Sequence, residues 1–285
     1  MKNITYFTAI LGVCGAALSA RAELVYGVTQ QQTLVSWDSA APGALLTGMA
    51  ISGLQLNETI LGIDLRPATG QIYALGSFNR LYTLNPSNGQ ATQVGGTFST
   101  ALNGSNFGFD FNPMIDRIRV VSNTNNNYVL NPNTGDVQAV ATNVFFAAGD
   151  VNQGADPNIV HSAYSNNFVG TTSTQLFGLD TGLDVLVRQA NSAGTLNTVG
   201  SVNTDLTELG GFDISGATGV AYAVVRDNAQ IRSTFWTINL TTGAGSMVGQ
   251  IGGGEIITAM TVVPSPGVLG LASACIMVGA RRRRS

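Results

Sequence analysis

The sequence predicts an all-β fold: a β-propeller-like domain of five four-stranded blades, its ring closed by the two ends of the domain. Three observations carry this. Two strand patterns recur in phase along the chain, turn-forming residues stand at fixed places between them, and residues 23–262 keep no apolar face at helical spacing. A partly open propeller or a β-sandwich is the alternative arrangement of the same strands.

The first pattern reads Leu34-Val-Ser-Trp37-Asp38, Leu81-Tyr-Thr-Leu84-Asn85, Asn127-Tyr-Val-Leu130-Asn131, Leu176-Phe-Gly-Leu179-Asp180 and Phe235-Trp-Thr-Ile238-Asn239. Each is an apolar or alternating strand that ends on Asp or Asn, and the Asx-to-Asx steps are 47, 46, 49 and 59 residues. The second pattern reads Gly62-Ile-Asp64-Leu, Gly108-Phe-Asp110-Phe, Ser162-Ala163-Tyr164, Gly211-Phe-Asp213-Ile and Ala259-Met-Thr261-Val. Between strands stand Arg66-Pro-Ala-Thr-Gly70, Asn112-Pro-Met114 and Ser215-Gly-Ala-Thr-Gly219. Pro presets the first turn dihedral, Gly supplies positive φ, and an Asx side chain bonds the backbone two residues on.

Repeats of 46–59 residues with about four short strands each are the size of propeller blades. If the Gly-x-Asp pattern is the inner strand, the last one (residues 256–263) has no outer partners after it. The first three strands (residues 24–28, 34–37 and 44–51) have no inner one. Joining them completes a fifth blade and leaves no long unpaired edge.

The ends are read apart from the fold. Residues 1–22 have Lys2, an apolar run and Ser19-Ala20-Arg21-Ala22, a signal peptide with cleavage before Glu23. Residues 263–285 contain Val263-Pro-Ser-Pro266-Gly267, a short uncharged stretch and Arg281 to Arg284. An apolar segment closed by arginines inserts with those arginines cytoplasmic. This tail resembles a PEP-CTERM sorting signal in its Val-Pro-Ser-Pro variant. The resemblance implies transient anchoring in the inner membrane, processing by an exosortase-type enzyme, and a cell-surface or extracellular destination. Residues 23–262 form the propeller-like domain between these ends.

Of the 13 Lys and Arg, six lie in the two ends, whereas all 16 acids lie between them, so the central domain carries a net charge of −9. Nucleic acid is excluded as a partner, because no basic stripe exists to meet it. Both cysteines, Cys14 and Cys275, fall in the ends, so the domain folds without a disulfide and offers no His/Cys zinc site.

Gly62 to Leu75, Gly108 to Val121, Gly149-Asp150, Asn158 to Asn166 and Leu176 to Gln189 together resemble the bacterial family called domain of unknown function 4394. The likeness spans the central domain. It implies the propeller-like fold and an exported location, and it implies no reaction.

Chemistry-bearing residues are few. His161, the one histidine, is the catalytic candidate if the domain is a hydrolase or lyase acting on polysaccharide at a propeller face. Its neighbours Ile159, Val160, Ala163 and Tyr164 favour a packed residue instead. Asp150, Asn152 and Asp156 alternate around Gly154 and are the loop candidate for calcium, although no Glu closes the site as in an EF-hand. No other cofactor is expected. Asp64, Asp110 and Asp213 recur at one blade position, where they either ring a channel as ligands or each accept hydrogen bonds from the adjoining turn. The second role is the expected one. Asp110, Asp116, Arg117 and Arg119 are expected to form structural ion pairs. The functional expectation is an exported, non-enzymatic module that binds exopolysaccharide or a surface protein, or serves as scaffold.

Overall fold

A computed structural model describes residues 22–227 and 231–264. The signal-peptide residues before Ala22, and the tail after Pro264 with its apolar stretch and arginines, lie outside the described residues. Among those described, no helix is long and apolar enough to cross a membrane.

The strands appear where the repeats place them. β1 (Leu24–Thr29), β2 (Thr33–Asp38) and β3 (Ala41–Ala50) begin the chain. Next come β4 (Ile60–Arg66), β5 (Gln71–Gly76), β6 (Arg80–Leu84) and β7 (Ala91–Thr97). The following blade is β8 (Phe107–Asn112), β9 (Arg117–Ser122), β10 (Asn127–Asn131) and β11 (Asp136–Ala141). It is followed by β12 (Phe145–Phe146), β13 (Ile159–Tyr164), β14 (Leu176–Asp180), β15 (Val185–Gln189) and β16 (Thr195–Ser201). The last full blade is β17 (Gly210–Ile214), β18 (Ala221–Asp227), β19 (Arg232–Ile238) and β20 (Gly245–Gln250), after which β21 (Ile257–Val263) returns to β1.

These strands form five antiparallel meanders, and the first has the order β21-β1-β2-β3, so the two ends of the domain share one blade. Stretches of turn and loop separate the blades, yet the inner strands pack in a cycle: β4 on β8, β8 on β13, β13 on β17, β17 on β21, and β21 on β4. The result is a closed five-bladed propeller. One blade departs from four strands, because β12 adds a short parallel pairing outside β16.

Local chemistry explains the turns. The five Asx residues that end the first pattern each accept a hydrogen bond from the backbone N–H two residues on: Asp38 from Ala40, Asn85 from Ser87, Asn131 from Asn133, Asp180 from Gly182 and Asn239 from Thr241. Gly135 (φ +65°) and Gly243 (φ +85°) then close two of these hairpins in the left-handed region.

Packing between blades supplies the core. Phe177 and Leu179 of one blade meet Phe212, Ile214 and Ile238 of the next, all buried. At the seam closed by the chain ends, Trp37 meets Phe235 edge-on at 5.6 Å, and Phe235 stacks on Tyr222 at 5.2 Å. Such pairs add about 0.5–1.5 kcal/mol each beyond their area burial. Glu23, buried at the same seam, accepts hydrogen bonds from Ser215 Oγ, from Thr218 Oγ1 at 3.0 Å and from Tyr222 OH at 3.1 Å.

Candidate functional site

The second repeat pattern places one residue per inner strand at a common level: Asp64 on β4, Asp110 on β8, Ala163 on β13, Asp213 on β17 and Thr261 on β21. All five are buried. Their hydrogen bonds run around the ring. Asp64 Oδ2 accepts from Phe111 N at 2.7 Å, Asp110 Oδ1 from Tyr164 N at 2.9 Å, and Asp213 Oδ2 from Val262 N at 2.6 Å. Thr261 Oγ1 accepts from Leu65 N at 3.1 Å. Each side chain thus reaches the residue that follows its counterpart on the next blade.

Ala163 breaks the sequence. It has nothing to offer Ile214, whose N–H is instead taken by Oδ1 of its own neighbour Asp213 at 2.6 Å. The sequence expectation that the adjoining turns supply the donors is therefore corrected. In the turn after β4 the N–H groups of Thr69 and Gly70 bond the Arg66 carbonyl, and the aspartates bind inner strands instead. The reason is geometric, because the side chains on this face of an inner strand point across to the next blade.

Among the described residues, one group of three or more Asp, Glu, His or Cys brings ligand atoms together: Asp64, Asp110 and Asp213, one carboxylate oxygen of each lying within 4.8 Å of the others. Thr261 Oγ1 lies 3.1 Å from Asp64 Oδ1 and 3.0 Å from Asp213 Oδ2. Burial pushes the Asp64 and Asp110 carboxyls well above the usual carboxylate range, and the neighbouring aspartates push further in the same direction. Burial also raises Asp213, to about 6, against the hydrogen bonds from Val262, Thr261 and Ile214 that favour its ionised form. Asp110 Oδ2 is buried with no hydrogen-bond partner.

Two residues before this level stand Gly62, Gly108 and Gly211. Their small size lets the inner strands close on one another: a Cβ on Gly62 would sit 2.7 Å from Phe109 Cβ, and one on Gly211 would sit 2.8 Å from Met260 N. The same end of the ring opens into a pocket of about 200 Å³. Its walls include Phe109 and Phe212, and its polar lining includes Gln30, Asn106, His161 and Glu208. The lining is internally braced. Glu208 accepts from Asn106 Nδ2 at 2.7 Å and from Asn158 Nδ2 at 3.2 Å, and Gln32 Oε1 accepts from Ile60 N at 2.7 Å.

His161 lines this pocket but is largely buried, and its Nε2 lies 2.9 Å from the Thr207 carbonyl, to which it donates. Burial lowers its affinity for a second proton, outweighing Thr207 and Glu208. The neighbouring Ser162 Oγ is buried without a hydrogen-bond partner, so no hydrogen bond links this serine to the imidazole. Ser162 and His161 are therefore not joined as nucleophile and base.

The loop residues expected as calcium candidates are tied into the protein by hydrogen bonds. Asp150 accepts from Asn152 N, from Thr198 N at 2.7 Å and from Thr198 Oγ1 at 2.7 Å, while Asn152 Nδ2 donates to Thr198 Oγ1. These bonds fasten the loop to β16. Asp156 turns instead to Asn125 Nδ2 at 2.6 Å.

In the charge cluster, Asp116 pairs with Arg66 from the preceding blade rather than with Arg117 or Arg119. Arg119 is held by Asn127 Oδ1 at 2.8 Å and Arg117 by the Asp116 carbonyl at 2.8 Å. Thr261 and the pocket's Gln30, Asn106 and Glu208 escaped sequence reasoning as site residues. Thr261 was legible as the member of the second pattern that keeps a side-chain oxygen where Asp stands elsewhere. The other three lie between strands and repeat nowhere.

The family model described as Domain of unknown function (DUF4394) matches residues 33–261. No curated protein matches the sequence. Among solved structures, a protein of unknown function from Bacteroides caccae is similar at 11% identity, with 81% of this chain and 73% of that one covered and a TM-score of 0.41. A chain of a nidogen/laminin complex is similar at 12% identity, with 85% and 98% covered and a TM-score of 0.47. Likenesses at this level carry no functional argument.

Proposed function

We infer function from the site itself, since the chain belongs to the family described as Domain of unknown function (DUF4394), a description that names no reaction. The reading is an exported, non-enzymatic binding module that takes one terminal sugar unit of a neutral extracellular polysaccharide into the pocket at the ring's mouth. The observation that carries it is the make-up of that pocket: three phenylalanine side chains (Phe107, Phe109 and Phe212) among amides, hydroxyls, His161 and one carboxylate, in about 200 Å³. A sugar ring has an apolar face and a hydroxyl edge, and the lining offers partners to both. The volume is below the roughly 300–1,000 Å³ of sites for drug-sized ligands, which favours one ring over an extended chain. Glu208 and the acidic balance of the domain disfavour uronic-acid polymers. Export rests on the pattern of residues 1–22, and surface sorting through an exosortase-type enzyme rests on that of residues 263–285.

The test is a glycan array on the purified chain, followed by calorimetry on the best neutral glycan. Paired Gln30→Ala and Asn106→Ala changes should weaken binding at least roughly tenfold, the loss of about 1.4 kcal/mol that one or two hydrogen bonds supply. Arg188→Ala, on β15, should leave it unchanged. An array without a neutral-glycan signal, or equal affinity in the pocket variant, would sink the reading.

A further inference from the structure

We propose that Asp64, Asp110 and Asp213 together hold one Ca²⁺ ion between the inner strands, with the Thr261 hydroxyl as a neutral oxygen beside it. Three observations lead there independently of the pocket and its ligand. The first is spacing. Oxygens on opposite sides of one Ca²⁺ stand about 4.6–5.2 Å apart, twice the usual bond length, and the three carboxylates converge within 4.8 Å.

The second is an orphaned atom. Both oxygens of Asp64 and both of Asp213 accept protein hydrogen bonds, and Asp110 Oδ1 accepts from Tyr164 N. Asp110 Oδ2 has none, although Asp110 is completely buried. A buried polar atom without a partner calls for an ion or a water.

The third is charge. The ion pairs among the described residues join Arg66 to Asp116 and Arg80 to Glu58, so no cationic side chain pairs with the three aspartates. Arg119, on β9 beside Asp110, is directed to Asn127 Oδ1 and to Tyr164 OH. A divalent cation balances most of this negative charge. An all-oxygen set without imidazole or thiolate selects a hard ion, and the spread of the oxygens suits Ca²⁺ better than the tighter octahedron of Mg²⁺. Bound there, the ion ties β4, β8 and β17 together and acts as an axial fastener for three of five blades.

The experiment uses the full chain, stripped with chelator and passed into calcium-free buffer. Equilibrium dialysis with radioactive calcium should give one ion per chain, and a hundredfold excess of Ca²⁺ over its Kd should raise the unfolding midpoint by roughly 5–10 °C. Asp110→Asn should abolish both effects while keeping the β-sheet circular dichroism of the wild type. Paired Asp150→Asn and Asp156→Asn changes should leave both intact, separating this site from the loop. No bound calcium in the wild type overturns the proposal, whatever the variants do. So does calcium retained by Asp110→Asn and lost by the loop variant.

Discussion

Replacing Gly108 by alanine tests whether the inner strands are as closely packed as the ring requires. A Cβ on Gly108 would meet Ser162 Oγ and would stand 2.9 Å from both Ser162 Cβ and the Ser162 backbone nitrogen. Rotating the serine hydroxyl relieves the first contact only, so β8 and β13 must part. Overpacking of this kind costs about 1–3 kcal/mol. Gly108 lies on an extended strand, and there an alanine also recovers about 0.4–1 kcal/mol by restricting the unfolded chain. The net expectation is a loss of about 1–2 kcal/mol, or a fall of roughly 2–8 °C in unfolding midpoint for a domain of this size. Separation of the strands would also stretch the bond from Tyr164 N to Asp110 Oδ1, two residues along. Gly96 provides the control, being exposed on β7 with nothing within 4 Å of its would-be Cβ. Gly96→Ala should be neutral or slightly stabilising. Calorimetric scans of the three chains decide the matter: if Gly108→Ala melts at or above Gly96→Ala, the close approach of the blades is wrong.

Three further outcomes follow from buried groups. Tyr82→Phe removes the hydroxyl that donates to buried Glu58 Oε2 at 2.6 Å, and urea titration should show a loss of about 1.5–3 kcal/mol for a hydrogen bond to a charged group; an unchanged midpoint would contradict it. Glu23→Ala takes the acceptor from Ser215, Thr218 and Tyr222 at the closing seam, and should make the pairing of β1 with β21 the earliest part of the ring to exchange its amide hydrogens. In chelator, ionisation of the buried aspartates should make stability fall as pH rises above about 4, because the unfolded chain releases their protons first. Asp213 alone, raised to about 6, contributes about 3 kcal/mol between about pH 4 and 6, and Asp64 and Asp110, also raised, act in the same direction. His161 acts oppositely, its lowered pKa removing stability as pH drops through about 6.5, so the titration is best run in a His161→Gln background. A flat urea midpoint between pH 4 and 6 in that background would refute the buried-acid account.

The ring was legible in the sequence because propeller blades repeat and their turns are chemically marked. Asn85, Asn131 and Asn239 stand where hairpin backbones need an acceptor, and the mismatch of outer and inner strands at the two ends showed how the first blade is completed. Element edges were less legible. Strand β3 starts at Ala41 rather than Ala44 and contains Pro42, which is tolerated because β3 is the outermost strand of its blade. The added pairing of β12 with β16 lies in the loop before β13, outside both repeat patterns. What the sequence hid is the direction of the aspartates. A repeat shows what recurs within a blade, whereas the partners of Asp64, Asp110 and Asp213 sit on the next blade, at a register set only when the ring closes.

That closure also accounts for the ring's composition. Five aspartates at this level would give every inner strand an acceptor for its neighbour, but would set five carboxylates in one buried space. Each added charge there carries a desolvation cost and repels the others. The chain keeps three. Thr261 takes the fourth place with a hydroxyl that both accepts from Leu65 N and donates toward a carboxylate, linking Asp64 to Asp213 without adding charge. Ala163 takes the fifth, which is tolerable because Asp213 has an oxygen to give to Ile214 as well as one for Val262. The backbone donors around the axis are therefore satisfied with three acids rather than five. Asp110 alone has an oxygen left over, and it is the atom that the proposed ion would partner.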